Sequence, residues 1–123
     1  MSTVLNFGRD SQGYNAYAPQ FPTDIFTATL TNGSAQSVTV PQNHAQWIMS
    51  VSIQPGGEVW VRQNGTAAIP AGGTFAAATS ELNPGPRLVN ALKSDGVTAT
   101  TIGFITPNTT CDVEVSFYAV GNN

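Results

Sequence analysis

The chain has 123 residues and a formal net charge of −3, with 9% charged and 41% hydrophobic residues. A single domain of this length buries roughly two thirds of its unfolded surface without a metal or disulfide staple, and its ordinary apolar content excludes disorder throughout. Arg9, Arg62, Arg87 and Lys93 stand singly; this excludes the clustered basic footprint of a nucleic-acid binder, and no run is long and apolar enough for a membrane-spanning helix.

A typical soluble domain carries about 25% charged residues, so the surface here is built from Ser, Thr, Asn, Gln and Gly. Such a surface has little electrostatic repulsion to keep copies or partners apart and favours association. Cys111 is the single cysteine, which rules out an intrachain disulfide and fits assembly in a reducing cytoplasm. Met1 to Asn6 lacks the charged and apolar regions of a secretory signal, and we expect the protein to be made and used without secretion.

Residues 1–23 combine Asn, Gly, Gln and Pro with Phe7, Tyr14, Tyr17 and Phe21 and show neither helical nor strand periodicity. The expectation is an extended N-terminal arm whose aromatics dock on the same subunit or a neighbour; a flexible tail is the plain alternative. Residues 24–123 form the folded domain, with short runs rich in β-branched and aromatic residues punctuated by turn signals.

Ile25 to Thr31 and Ser37 to Pro41 flank Asn32-Gly33 and predict a hairpin. Trp47 to Ile53 places Trp47, Met49, Val51 and Ile53 on one side of a strand and Ser50 and Ser52 on the other. After Pro55-Gly56-Gly57, Glu58 to Arg62 puts Val59 and Val61 inward and Glu58, Trp60 and Arg62 outward, which predicts a second hairpin, followed by a turn at Asn64-Gly65. Thr74 to Leu82 fits a strand or a loop. Arg87 to Lys93 reads as a strand because Pro84 and Pro86 precede it and Ser94-Asp95-Gly96 closes it. Val97 to Thr106 and Cys111 to Val120 flank Pro107 to Thr110 and predict a terminal hairpin, with Val113, Val115, Phe117 and Ala119 inward. With about seven or eight strands and no helix, the prediction is an all-β antiparallel sandwich, of which the jelly roll is one form.

Catalytic patterns are missing. Nucleophile-plus-base chemistry needs a base within hydrogen-bond reach, and His44, the single histidine, reads as a surface-loop residue. Cys111 falls in phase with Val113 and Val115 and reads as a buried, inert small hydrophobe. Structural zinc wants four Cys or His ligands and calcium several convergent carboxylates. Asp112 and Glu114 share a strand face and read as a solvated pair, so no metal or cofactor is expected. Asn32, Asn64 and Asn108 each open a glycosylation pattern, a short match common in Asn- and Thr-rich chains. Trp60 stands out: an outward Trp anchors an interface, stacks on a sugar, or lies beneath the arm. The predicted interface set is Phe7, Tyr14, Tyr17, Phe21, Trp60 and Arg62.

The runs Thr29 to Pro41, Val59 to Phe75 and Ser80 to Pro84 resemble small virion proteins of tailed bacteriophages, with a likeness covering about residues 24 to 120. The resemblance implies a capsid decoration, or cement, protein: a non-enzymatic β-sandwich made in the host cytoplasm that sits on the virion surface, binds the major capsid protein and copies of itself, and bridges capsomers. Multivalent attachment to a lattice suits a low-charge surface, because repeated weak contacts add through effective concentration. The alternative is a receptor- or carbohydrate-binding module of a phage tail or fibre, with a glycan as partner. A glycan-active enzyme would need paired convergent acids, and the acids here are dispersed.

Overall fold

The computed structural model describes residues 20–120. Phe7, Tyr14 and Tyr17 lie outside the described residues, as does the stretch 1–19 of the predicted arm. Among the described residues eight strands follow one another: β1 (Asp24–Thr31), β2 (Gln36–Thr39), β3 (Gln46–Ile53), β4 (Trp60–Gln63), β5 (Glu81–Leu82), β6 (Arg87–Asn90), β7 (Thr101–Ile105) and β8 (Thr110–Val120). They form two four-stranded sheets, in the orders β1-β8-β3-β6 and β2-β7-β4-β5, and every strand pair is antiparallel.

The order has a simple origin. Strand β1 pairs with β8, β2 with β7, β3 with β6 and β4 with β5, as if the chain were folded once at its middle and the doubled ribbon wrapped around a core. That is the topology of a jelly roll. Successive strands therefore lie mostly in opposite sheets, and this overturns the predicted hairpins. β1 and β2, β3 and β4, and β7 and β8 each sit in different sheets. The turn signals between them are real, with Gly33 at φ 68° and Gly56 at φ 78°, but they turn corners between sheets instead of reversing the chain within one.

Burial follows the alternation of apolar residues. Across β1, β8 and β3 the register aligns Phe26, Val115 and Val51 in one row, and Met49 with Phe117 in another. Trp47 and Phe117 are fully buried, with ring centroids 6.1 Å apart at 78°, and the Trp47 indole N–H donates to the Pro41 carbonyl at 2.9 Å. From the second sheet, Val59, Val61, Ile102 and Phe104 close the core. An edge-to-face aromatic pair contributes about 0.5–1.5 kcal/mol beyond its buried area.

The lengths of β5 and β6 are set by backbone chemistry. β5 is a two-residue strand within the stretch whose sequence fits strand or loop, and the rest of 64–80 is irregular. β6 stops at Asn90, short of the predicted Lys93. Its continuation is diverted where the Ala91 N–H donates to the Ala45 carbonyl and the Lys93 N–H to the Thr98 carbonyl.

Candidate interaction surface

Because the strands alternate in direction, the connections gather at two ends of the sandwich, and these ends differ in chemistry. One end holds 32–35, 54–59, 83–86 and 106–109. Asparagine side chains lace it together: Asn108 Oδ1 accepts from the Glu58 N–H at 2.8 Å, Asn83 Oδ1 accepts from the Val59 N–H at 2.7 Å, and Asn32 Nδ2 donates to the Pro107 carbonyl. The Thr106 hydroxyl, in a fully buried residue, donates to the Glu58 carbonyl at 2.6 Å. This satisfies backbone groups that would otherwise be left unpaired on leaving a sheet.

The other end holds 40–45, 64–80 and 91–100, and the chain enters β1 beside it. Here the connections present apolar side chains to solvent. Phe75 is fully exposed, Val97 is 81% exposed, and Ile69 and Leu92 are also exposed. Phe21, just before β1, is 91% exposed. Isolated exposed apolar residues are ordinary, but here several sit on connections of one end while the opposite end is closed by polar side chains.

Phe75 owes its position to a long connection. β4 ends at Gln63 and β5 begins at Glu81, and irregular loops longer than about 12–15 residues are uncommon and are usually functional or linkers. The loop is anchored at its root. Gly65 lies so close over Gly103 of β7 that a Cβ on Gly103 would meet the Gly65 carbonyl oxygen at 2.6 Å and the Ala67 nitrogen at 3.1 Å. Ala67 is buried, and the Ala68 N–H donates to Ser80 Oγ at 3.0 Å, joining the two legs. Beyond this clasp, Gly72-Gly73 and Ala76 to Ala78 flank Phe75 with residues too small to shelter it.

Trp60 and Arg62 face outward from the second sheet, as the alternation predicts. Both are half-buried and already engaged. Trp60 aligns with Leu82 and Ile105 across the sheet, and its indole N–H donates to Glu58 Oε2 at 2.8 Å. The Arg62 guanidinium lies against Gly65 and donates to the Thr66 carbonyl at 3.4 Å. These two residues support the loop root and offer less free surface than Phe75 or Val97.

Val97 is held out by its neighbour. Asp95 Oδ1 accepts from the Val97 and Thr98 N–H groups at 2.8 and 2.9 Å, and Oδ2 from the Thr98 hydroxyl at 2.6 Å. The Thr98 hydroxyl and N–H, then the Val97 N–H, hold the Asp95 carboxyl at about 2, below its ordinary 3.8.

The chemistry-bearing residues are packed. His44, predicted on a loop surface, is half-buried: its ring sits edge-on to Trp47 at 5.3 Å, because the loop folds over the Trp47 end of the core, and its Nε2 is buried with no partner among the described residues. Cys111 is fully buried; burial and then the Asp112 charge push its thiol up, so it stays protonated and unreactive at neutral pH. Asp112 Oδ1 accepts from the Thr29 hydroxyl at 2.6 Å. Among the described residues no group of three or more His, Cys, Asp or Glu side chains is placed to hold a metal ion.

No protein-family model, no curated protein and no solved structure matches the chain.

Proposed function

We propose that this chain is a non-catalytic structural protein of a phage virion, which attaches to the outer surface of the capsid through its apolar loop end and decorates or cements neighbouring capsomers. The observation that carries the reading is the exposure of Phe75 and Val97 on connections of one end of a weakly charged jelly roll, each fixed from below by a specific device. An exposed aromatic on an anchored loop fills a partner's pocket with little ordering cost. The polar-laced opposite end then faces solvent, and the major capsid protein and further copies of the chain are the partners. The test is co-sedimentation with undecorated capsids: the parent chain binds to saturation, and the double variant Phe75→Ser, Val97→Ser loses most binding while keeping its melting temperature. Equal binding by the variant overturns the proposed contact, and no binding by the parent overturns the capsid reading.

A second reading, glycan recognition in a tail or fibre, draws on a cleft of about 740 Å³ at the same end, lined by Gln42, His44, Gln46, Asn90 and Leu92 among others. Gln42 Nε2 donates to the Val40 and Ala91 carbonyls and Gln46 Nε2 to Asn90 Oδ1, which fixes the amides and turns the Gln42 and Gln46 oxygens and the Asn90 amide N–H groups to sugar hydroxyls. A glycan array that returns a ligand, with binding abolished by Asn90→Ala, favours this reading.

A further inference from the structure

The four edge strands of the sandwich are unequally protected. Edges invite pairing with other chains and are normally shortened, charged or interrupted by proline. β5 has two residues, and β6 has four, preceded by Pro84 and Pro86. Arg87 of β6 forms an ion pair with Glu81 of β5 across the two sheets. β2 has four residues and runs into Pro41. β1 has eight residues, and from Ile25 to Thr31 it holds no charge, proline or glycine. It pairs with β8 on one side; among the described residues no strand lies on its other side. Ile25 is 52% exposed and Phe26 40% exposed, and Thr27 and Thr29 are exposed beside them. Beneath this edge a cleft of about 200 Å³ opens towards the core, lined by Phe26, Ala28, Leu30, Val38, Phe104 and Val115 among others.

We propose that β1 is a self-pairing edge: two copies of this chain join β1 to β1 in antiparallel register about a twofold axis at Ala28, making one continuous eight-stranded sheet. A twofold perpendicular to a sheet keeps each side chain on its own face, so only residues of like orientation can stand opposite one another. The register centred on Ala28 sets Phe26 against Leu30 of the second copy on the core-facing side, and Ile25 against Thr31 and Thr27 against Thr29 on the outer side. Apolar groups meet over the two clefts, and β-branched residues meet outside, a favourable cross-strand arrangement. The neighbouring register, centred on Thr27, would drive the Asp24 carboxylate against Leu30 on the core-facing side. In the Ala28 register Asp24 falls beyond the last pair. The strand is thus self-complementary in one register, and a second copy of this weakly charged chain is the occupant that it fits. The inference is independent of the capsid reading, since the edge pairs in free solution.

The test is sedimentation equilibrium of the full chain, read with two variants. The parent chain dimerises, and Ala28→Lys, which sets two ammonium groups face to face at the axis, weakens the dimer at least tenfold while circular dichroism shows the sheet intact. Directly opposed residues stand about 4.5–5.5 Å apart, within disulfide range, so Ala28→Cys oxidises to a covalent dimer whose peptide map links the new cysteine to its counterpart. The second variant answers the question should the lysine unfold the chain. A parent that stays monomeric with no disulfide in Ala28→Cys overturns the proposal. So does a dimer that survives Ala28→Lys, which would use another surface. Concentration-independent protection of the Thr27 and Thr29 amides in a monomer also overturns it and gives the edge to the chain's own residues 1–19.

Discussion

Gly103 and Gly65 meet backbone to backbone on the outer face of the second sheet, with room for no side chain between them. The contact converts a long loop into an anchored one. Gly103→Ala forces a Cβ to 2.6 Å from the Gly65 carbonyl oxygen, a backbone atom that cannot rotate away. The expected outcome is a loss of about 1–3 kcal/mol, the usual cost of overpacking. Faster hydrogen exchange at Ala67 and Ala68 should accompany it. Unchanged stability together with unchanged exchange would show that the clasp does not hold the loop.

Trp60 and Phe75 should separate under mutation. Trp60 is half-buried beside Ile105 and bonded to Glu58, so Trp60→Ala is expected to cost about 1–3 kcal/mol of stability by urea denaturation, below the range for a fully buried aromatic. Phe75 is exposed over its whole side chain, and Phe75→Ser is expected to stay within about 0.5 kcal/mol of the parent. The reverse ranking would place Phe75 in the core and Trp60 on free surface.

The Asp95 turn gives a pH dependence with a definite sign. The folded-state carboxyl titrates at about 2 instead of 3.8, so the unfolded turn binds the proton more readily than the folded one. Its stabilisation is present in full above about pH 4 and fades as pH falls from 3.8 towards 2. The amide resonances of Val97 and Thr98 should move together through this window, and Asp95→Asn, which keeps one acceptor oxygen without the charge, should flatten the response. A midpoint near 3.8 would mean that the carboxylate is not held by these donors.

Alternation and composition made much of this fold legible. Val59 and Val61, Trp47 and Met49, and the odd-numbered run Val113 to Ala119 point inward as their period of two requires, and Cys111 follows the same phase. The pairing was not legible, for a physical reason. Asn32-Gly33 and Pro55-Gly56 supply a positive φ, and that conformation serves a hairpin turn within one sheet and a corner between two sheets equally well. Choosing between them depends on the long-range pairs Leu30 with Cys111 and Val38 with Ile102, contacts that no local window contains. Phe75 was missed because an aromatic among glycines and alanines gives no periodicity. The loop that carries it is anchored by the Gly65–Gly103 contact, made by residues far apart in the chain. The signal that the sequence does carry is the length of irregular chain between β4 and β5.

The polar end offers the sharpest test of what holds the corners. Val59 and Asn83 are bonded twice: the Asn83 N–H donates to the Val59 carbonyl at 2.8 Å, and Asn83 Oδ1 accepts from the Val59 N–H at 2.7 Å. Asn83 also sits at φ 41°, in the left-handed region that Asn and Gly tolerate and Ala does not. Val59 is fully buried, so losing its acceptor leaves a donor unpaired, at about 1–3 kcal/mol. Asn83→Asp keeps the acceptor oxygen for Val59 but loses the bond that Asn83 Nδ2 donates to the Gly57 carbonyl at 3.2 Å, an exposed contact, so it should fall only a little below the parent. Asn83→Gly removes the acceptor but relieves the backbone, and Asn83→Ala adds strain of about 1 kcal/mol to the same loss. Melting temperatures should therefore fall in the order Asp, Gly, Ala. If Gly melts at or above Asp, the backbone angle governs this corner and the side-chain bond to Val59 adds nothing. If Ala melts with Gly, the angle is not a constraint and the bond alone accounts for the asparagine.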